Sequence, residues 1–110
     1  MDRNRLYILH ILDAIKAIEK YIAGFDYEKF LNNNLVQDAV IRQFSIIGEA
    51  TKRLSENMKK EHCEIPWKDI CGMRDNLIHD YMGTDLDEVW ETATQDLNVL
   101  KEALNEYLEK

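Results

Sequence analysis

The sequence predicts an all-α protein that folds as an antiparallel four-helix bundle, with a short extra helix near residues 25–31. Proline occurs once and glycine four times in 110 residues, which disfavours a turn-rich β-sandwich. Apolar residues recur at steps of three and four along several long segments, as on one face of a helix. The segments between them are short, so consecutive helices are expected to run in opposite directions within one domain, residues 1–110.

The first long helix is predicted from about Arg3 to Ala23, with Gly24 ending it. Its apolar stripe consists of isoleucines: Ile8, Ile11, Ile15, Ile18 and Ile22. Residues 25–31 are too few for a long helix and precede three asparagines, which predicts one or two helical turns followed by a loop. The aromatic residues of this segment are expected to cover the core.

A second long helix is predicted from about Leu35 to Lys60. Its stripe comprises Val36, Val40, Phe44, Ile47, Thr51, Leu54 and Met58. Pro66 suits the first turn of a third helix, predicted to reach about Asp80 and to stop at Gly83. Asp85 with Glu88 is a plausible capping arrangement for the last helix, predicted from Leu86 to about Leu108.

The net charge of −7 is unevenly distributed. The stretch from Thr84 to the C-terminus carries −6, and the remaining 83 residues carry only −1. A nearly neutral body can hold a local basic cleft for RNA. Candidates to line it are Lys52, Arg53, Lys59 and Lys60, although a solvated helix face explains the same residues.

The sequence contains neither an 18-residue apolar run nor an N-terminal apolar region typical of a signal peptide. We therefore expect a cytoplasmic protein without a membrane span. Cys63 and Cys71 lack a Cys-x-x-Cys spacing and are interpreted as reduced thiols.

Polar and ionisable residues crowd the predicted end of the third helix. Arg74 and Tyr81 are seven residues apart and share a helix face, whereas Asp75 and His79 are neighbours on an adjacent face. Arginine matches phosphate oxygens with a permanent charge, and histidine exchanges protons near neutral pH. This set suits phosphodiester cleavage without a metal. The alternative is structural: Arg74 pairs with a carboxylate, and His79 caps the helix end.

Other candidate sites have weaker support. A di-metal bundle site requires Glu-x-x-His pairs, which are absent from the sequence. His62 and Cys63 lack two further nearby ligands for zinc, and His10 is expected to be exposed on the first helix. We predict neither a metal nor a cofactor.

The octad Arg74-Asp75-Asn76-Leu77-Ile78-His79-Asp80-Tyr81 resembles the R-x4-H-x-Y motif of the HepT-like toxins in the HEPN superfamily. The similarity extends to Ile47-Gly48-Glu49-Ala50, to Pro66-Trp67, to the length and to the helix order, so it covers nearly the whole chain. The expected fold is therefore a HEPN-like bundle.

This resemblance implies an endoribonuclease toxin that acts on RNA as a homodimer. It assigns catalysis to Arg74 and His79, with Asp75 and Tyr81 in support; from the charge distribution, we expect a minor RNA-binding role for Lys52 and Arg53. It further implies an MntA-like minimal nucleotidyltransferase as antitoxin, with Tyr81 as the residue that receives AMP. The alternative is a non-catalytic module that docks the nucleotidyltransferase and binds phosphate through the same residues.

Overall fold

The computed structural model describes residues 3–68, 70 and 86–109. Within these ranges the chain forms helices and loops and contains no strand, so the predicted all-α fold is confirmed. The elements are α1 (Arg3–Tyr21), α2 (Tyr27–Leu31), α3 (Asn34–Lys52), α4 (Glu56–Glu61), α5 (Leu86–Glu91), a π-helical segment (Thr92–Asp96) and α6 (Leu97–Glu109). None of the described helices is long and apolar enough to cross a membrane.

Helix α1 packs against both α3 and α6. Asn4, near the start of α1, hydrogen-bonds to Ser55 just beyond α3, so these two helices are antiparallel. Asn4 also lies 3.5 Å from the Tyr107 hydroxyl near the end of α6. At the other end of α1, Lys101 forms an ion pair with Glu19 at 3.0 Å. Helix α1 is therefore antiparallel to both α3 and α6, as the predicted arrangement requires.

The core contains the apolar stripes that periodicity predicted. Among the described residues, the most fully buried large apolar side chains are Phe30, Ile8, Ile11, Ile15, Ile18, Ile47, Leu100, Leu104, Val40 and Val89. Phe30 comes from the short helix α2, and its ring lies 5.1 Å from that of Trp90. Tyr27 meets the same indole edge-on at 6.3 Å. The residue 25–31 segment thus covers one side of the core, as expected.

Local polar residues set the boundaries around α2. Gly24 has φ +78°, a left-handed conformation that glycine adopts without steric cost, and α1 ends just before it. The Asp26 side chain accepts a hydrogen bond from the Lys29 N–H and caps α2. The Asn33 side chain accepts one from the Val36 N–H and caps α3. The asparagine run therefore both ends one helix and begins the next.

The prediction of one helix from Leu35 to Lys60 is wrong. Helix α3 ends at Lys52, and α4 begins at Glu56 after a break. Ser55 has an extended backbone and accepts a hydrogen bond from the Met58 N–H, which makes it the N-cap of α4. Leu54 and Met58 are nevertheless buried, because the apolar pattern continues through the break.

The predicted last helix is confirmed over Leu86–Glu109, with an irregularity that periodicity did not reveal. Thr92–Asp96 adopt a π-helical conformation between α5 and α6. The Thr94 hydroxyl donates to the Trp90 carbonyl at 2.8 Å, and the Thr92 side chain is buried. A π segment admits one extra residue without interrupting the helix.

Only the start of the predicted third helix lies within the described residues. The Ile70 N–H donates to the Pro66 carbonyl, as expected for a helical turn that opens at proline. Trp67 anchors this turn because its indole N–H donates to the Lys59 and His62 carbonyls, each at 3.1 Å. The predicted stop at Gly83 and the cap at Asp85 lie outside the described residues.

Candidate functional site

The predicted catalytic and supporting residues, Arg74, Asp75, His79 and Tyr81, all lie outside the described residues. Their assignment therefore remains a prediction from the sequence. The structure does place the candidate RNA-binding residues and the histidines of the remaining chain.

Of the four candidate basic residues, Arg53 lines the groove between α1 and α3. Lys52 and Lys60 are exposed, and Lys52 has an interaction partner of its own. Lys59 is partly buried and lies 3.9 Å from the Glu56 carboxylate. Of these four residues, Arg53 is the one that lines this groove, and the RNA-binding role of the basic residues stays a prediction.

The α1–α3 groove has a volume of about 300 Å³. One side of the groove is formed by α1 and the other by α3 and its C-cap; the lining residues are Tyr7, His10, Ser45, Ile46, Glu49, Ala50 and Arg53. The Arg53 guanidinium lies over the Tyr7 ring, 5.9 Å from its centroid, which is within cation–π range. The His10 ring meets Tyr7 edge-on at 6.1 Å. His10 is exposed, as predicted.

The electrostatic environment of Tyr7 is cationic. Hydrogen bonding with Arg53 and Arg3 lowers the pKa of Tyr7 from its ordinary value of 10.0, because both guanidinium groups favour the phenolate. Sequence reasoning missed Tyr7 as a member of any site. The sequence did contain one indication: Tyr7 lies one helical turn before His10, on the partly polar side of the first helix.

His62, which the sequence analysis considered as a zinc ligand, is part of the packed interior. Its side chain is buried at the end of α4, with Nδ1 3.5 Å from a Glu64 carboxylate oxygen. The ring contacts Tyr107 edge-on at 6.3 Å, while the neighbouring Cys63 is exposed. Across residues 3–68, 70 and 86–109, no cluster of three histidine, cysteine or acidic side chains could hold a metal ion.

Comparison with known protein families gives the class of the molecule. The family model described as "Ribonuclease HepT-like" matches residues 11–107, which include the Arg74–Tyr81 motif. The chain belongs to the HepT-like ribonuclease family. The predicted resemblance and the predicted enzyme class are thus confirmed at the level of the family.

Several HepT-like relatives align over most of this chain. A Thermococcus cleftensis protein named as a probable ribonuclease HepT is 42% identical over 95 residues, 86% of each chain. A Caldanaerobacter subterraneus subsp. tengcongensis protein, provisionally named an RNase, is 36% identical over 110 residues, 100% of this chain and 98% of its own.

A third relative, from Methanocaldococcus jannaschii, is named a gamma-glutamylcyclotransferase and, provisionally, an RNase. It is 40% identical over 106 residues, which are 96% of this chain and 48% of the longer protein. The HepT-like chain thus spans about half of that relative. No solved structure matches the chain significantly.

Proposed function

We propose that this HepT-like protein is a metal-independent endoribonuclease whose catalytic residues are Arg74 and His79. The observation that carries the proposal is the family match across residues 11–107, together with an uninterrupted Arg-x4-His-x-Tyr motif inside it. The fold supports it, because the all-helical architecture expected from the resemblance is present.

In the proposed reaction, the His79 imidazole accepts the proton of a ribose 2′-hydroxyl. The 2′-oxygen then attacks the adjacent phosphorus, and the bond from phosphorus to the 5′-oxygen of the next nucleotide breaks. Protonation of this oxygen releases a 5′-hydroxyl end, and the other product carries a 2′,3′-cyclic phosphate. The Arg74 guanidinium stabilises the charge that accumulates on the phosphoryl oxygens. Asp75 orients the imidazole, and Tyr81 contributes a phenolic hydrogen bond.

The test is cleavage of a defined RNA by the purified protein in EDTA, with mass spectrometry of the product ends. Arg74→Ala and His79→Ala are each expected to lower the rate by at least about a hundredfold. Arg42→Gln is the matched control, because Arg42 is an exposed arginine on α3. Undiminished cleavage by the His79 variant, or ends without cyclic phosphate, would overturn the mechanism.

We further propose that the protein is the toxin of a toxin–antitoxin pair and acts on cytoplasmic RNA as a homodimer. A minimal nucleotidyltransferase would inhibit it by complex formation or by transfer of AMP to Tyr81. The added phosphate would place negative charge beside Arg74 and compete with RNA. Mass spectrometry after incubation with the cognate nucleotidyltransferase and ATP should locate AMP on Tyr81. Modification elsewhere, or none, would contradict this part.

One observation favours a second candidate, a docking module without catalysis. The stretch from Thr84 onward carries −6, and acidic side chains such as Glu102, Glu106 and Glu109 are exposed along α6. An acidic surface suits a protein partner better than RNA. A folded, unmodified dimer that binds the nucleotidyltransferase but cleaves no RNA would favour this candidate.

A further inference from the structure

The α1–α3 groove lies apart in sequence from the Arg74–Tyr81 motif and has no role in the mechanism above. We propose that this groove is a subsite for one nucleotide of a single-stranded RNA, with the phosphate on Arg53 and the base against the Tyr7 ring. The choice of RNA as ligand rests on the proposed function. The site itself rests on the geometry of the groove.

The charge balance of the groove favours an anion. The Arg53 guanidinium, a permanent positive charge, lies over the Tyr7 ring, and both Arg53 and Arg3 lower the pKa of Tyr7. Within the described ranges, neither arginine forms an ion pair; the pairs found there involve Lys59, His62 and Lys101. A phosphate bound to the Arg53 guanidinium would accept its hydrogen bonds and balance its charge.

The orientation of Arg53 is also suitable for binding. Its guanidinium lies over the Tyr7 ring at 5.9 Å, and arginine held on an aromatic face loses less conformational freedom when it binds phosphate. Arg53 is also the C-cap of α3, so its backbone is anchored by hydrogen bonds from its N–H to the Ala50 and Thr51 carbonyls. The charged group is therefore positioned before a ligand arrives.

The remaining lining suits a base rather than phosphate alone. Tyr7 and His10 supply two aromatic rings in edge-to-face contact, and Ile46 and Ala50 supply an apolar surface. Stacking on aromatic rings is how proteins bind unpaired bases without strict sequence preference. The volume of about 300 Å³ is at the lower end of the range for small-molecule pockets, enough for one nucleotide.

Glu49 also lines the groove, one turn before Arg53, and its carboxylate has an interaction partner of its own. This carboxylate would repel a phosphate placed beside it. The phosphate is therefore assigned to the end where α3 ends, beside the Arg53 guanidinium. The base occupies the part bounded by Tyr7 and His10.

The experiment measures binding of a single-stranded 2′-O-methyl RNA, which cannot be cleaved through a 2′-hydroxyl, by fluorescence anisotropy at several salt concentrations. Arg53→Gln is expected to weaken binding about tenfold and to reduce the salt slope by about 0.7, the value for one phosphate contact on a single strand. Tyr7→Leu should weaken binding about five- to tenfold through loss of stacking. Tyr7→Phe keeps the ring and should change the affinity by less than about twofold.

Arg42→Gln is again the matched control, because it removes one exposed arginine of α3 outside the groove lining. Equal weakening by the Arg42 and Arg53 variants would show nonspecific charge attraction and overturn the subsite. Arg53→Lys, which keeps the charge but not the planar fork, should bind with intermediate affinity and provides a second variant should Arg53→Gln unfold. Circular dichroism verifies the fold of each variant.

Parallel cleavage assays separate this inference from the proposed function. Binding that depends on Arg53 without any cleavage would overturn the ribonuclease and leave the subsite in place. Cleavage by Arg53→Gln with an unchanged KM would overturn the subsite and leave the ribonuclease in place. Competition by inorganic phosphate as effective as that by AMP would show that the base is not bound, which contradicts the nucleotide assignment.

Discussion

Asn4 and Ser55, 51 residues apart in sequence, exchange two hydrogen bonds across the interface between α1 and the loop after α3. The Asn4 amide Nδ2 donates to the Ser55 hydroxyl at 2.9 Å, and the Ser55 N–H donates to Asn4 Oδ1 at 2.9 Å. The Ser55 hydroxyl also accepts from the Met58 N–H at 3.2 Å, which begins α4. The break between α3 and α4 is thus held in place by a residue of the first helix.

This relationship predicts energetic coupling between Asn4 and Ser55. Ser55→Ala removes an N-cap and should lower the free energy of unfolding by about 1 kcal/mol. Asn4→Ala should cost a similar amount. The double variant should lose at least about 0.5 kcal/mol less than the sum of the single losses, because each substitution alone removes the hydrogen bond from Asn4 Nδ2 to the Ser55 hydroxyl. Urea denaturation of the four proteins measures the cycle.

Asn57→Ala is the control for the cap experiment, because Asn57 is exposed at the start of α4. Its effect on the free energy of unfolding should be within about 0.5 kcal/mol of zero. Strictly additive losses at Asn4 and Ser55 would show that the two side chains act independently in solution.

Adjacent isoleucines in α3 offer a test of the packing. Ile47 is 1% exposed and Ile46 is 38% exposed. Ile47→Val should lower the free energy of unfolding by about 1 kcal/mol, because it leaves a small cavity in the core. The same substitution at Ile46 removes a methyl group that already contacts water and should cost less than about 0.5 kcal/mol. Equal losses in thermal or urea unfolding would contradict the assigned helix face.

The conformation of Gly24 predicts a strain effect without a steric clash. A Cβ added there would meet no atom within 4 Å, so the cost of Gly24→Ala comes only from the left-handed φ of +78°. We expect a loss of about 1 kcal/mol in the free energy of unfolding. Gly24→Asn should cost less, since asparagine tolerates this region better. Equal losses for both variants would argue against conformational strain as the cause.

The environment of Tyr7 predicts a pH dependence. Arg53 and Arg3 lower its pKa below the ordinary 10.0, so the unfolded chain binds more protons than the folded one between the two pKa values. The contribution to stability therefore grows as pH rises through this window and is fully present above pH 10.0. It disappears as pH falls below the pKa of the folded protein.

Phenolate absorbance during a pH titration measures this effect, with Tyr7→Phe subtracted to isolate Tyr7 from the other four tyrosines. Arg53→Gln should return the pKa of Tyr7 toward 10.0, because Arg53 is the largest cause of the shift. An unchanged titration in the Arg53 variant would show that the guanidinium does not contact the phenol in solution.

Local pattern in the sequence determined most of the helical architecture. Steps of three and four residues place Ile8 and Ile11 in one helix and Leu100 and Leu104 in another, and each stripe is buried as predicted. Such patterns are local because a helix brings residues i, i+3 and i+4 together regardless of the remaining fold. The Arg74–Tyr81 motif was likewise identified from its spacing and its resemblance to a family.

Tertiary structure decided the features that join distant residues. The break before α4 depends on Ser55 and on Asn4, and periodicity continues through it because Leu54 and Met58 remain buried. The groove brings Tyr7 to Arg53, 46 positions later, through the antiparallel packing of α1 and α3. Hydrogen bonds and ring contacts between helices depend on their register and rotation, and only the packed core of the folded chain sets these two quantities.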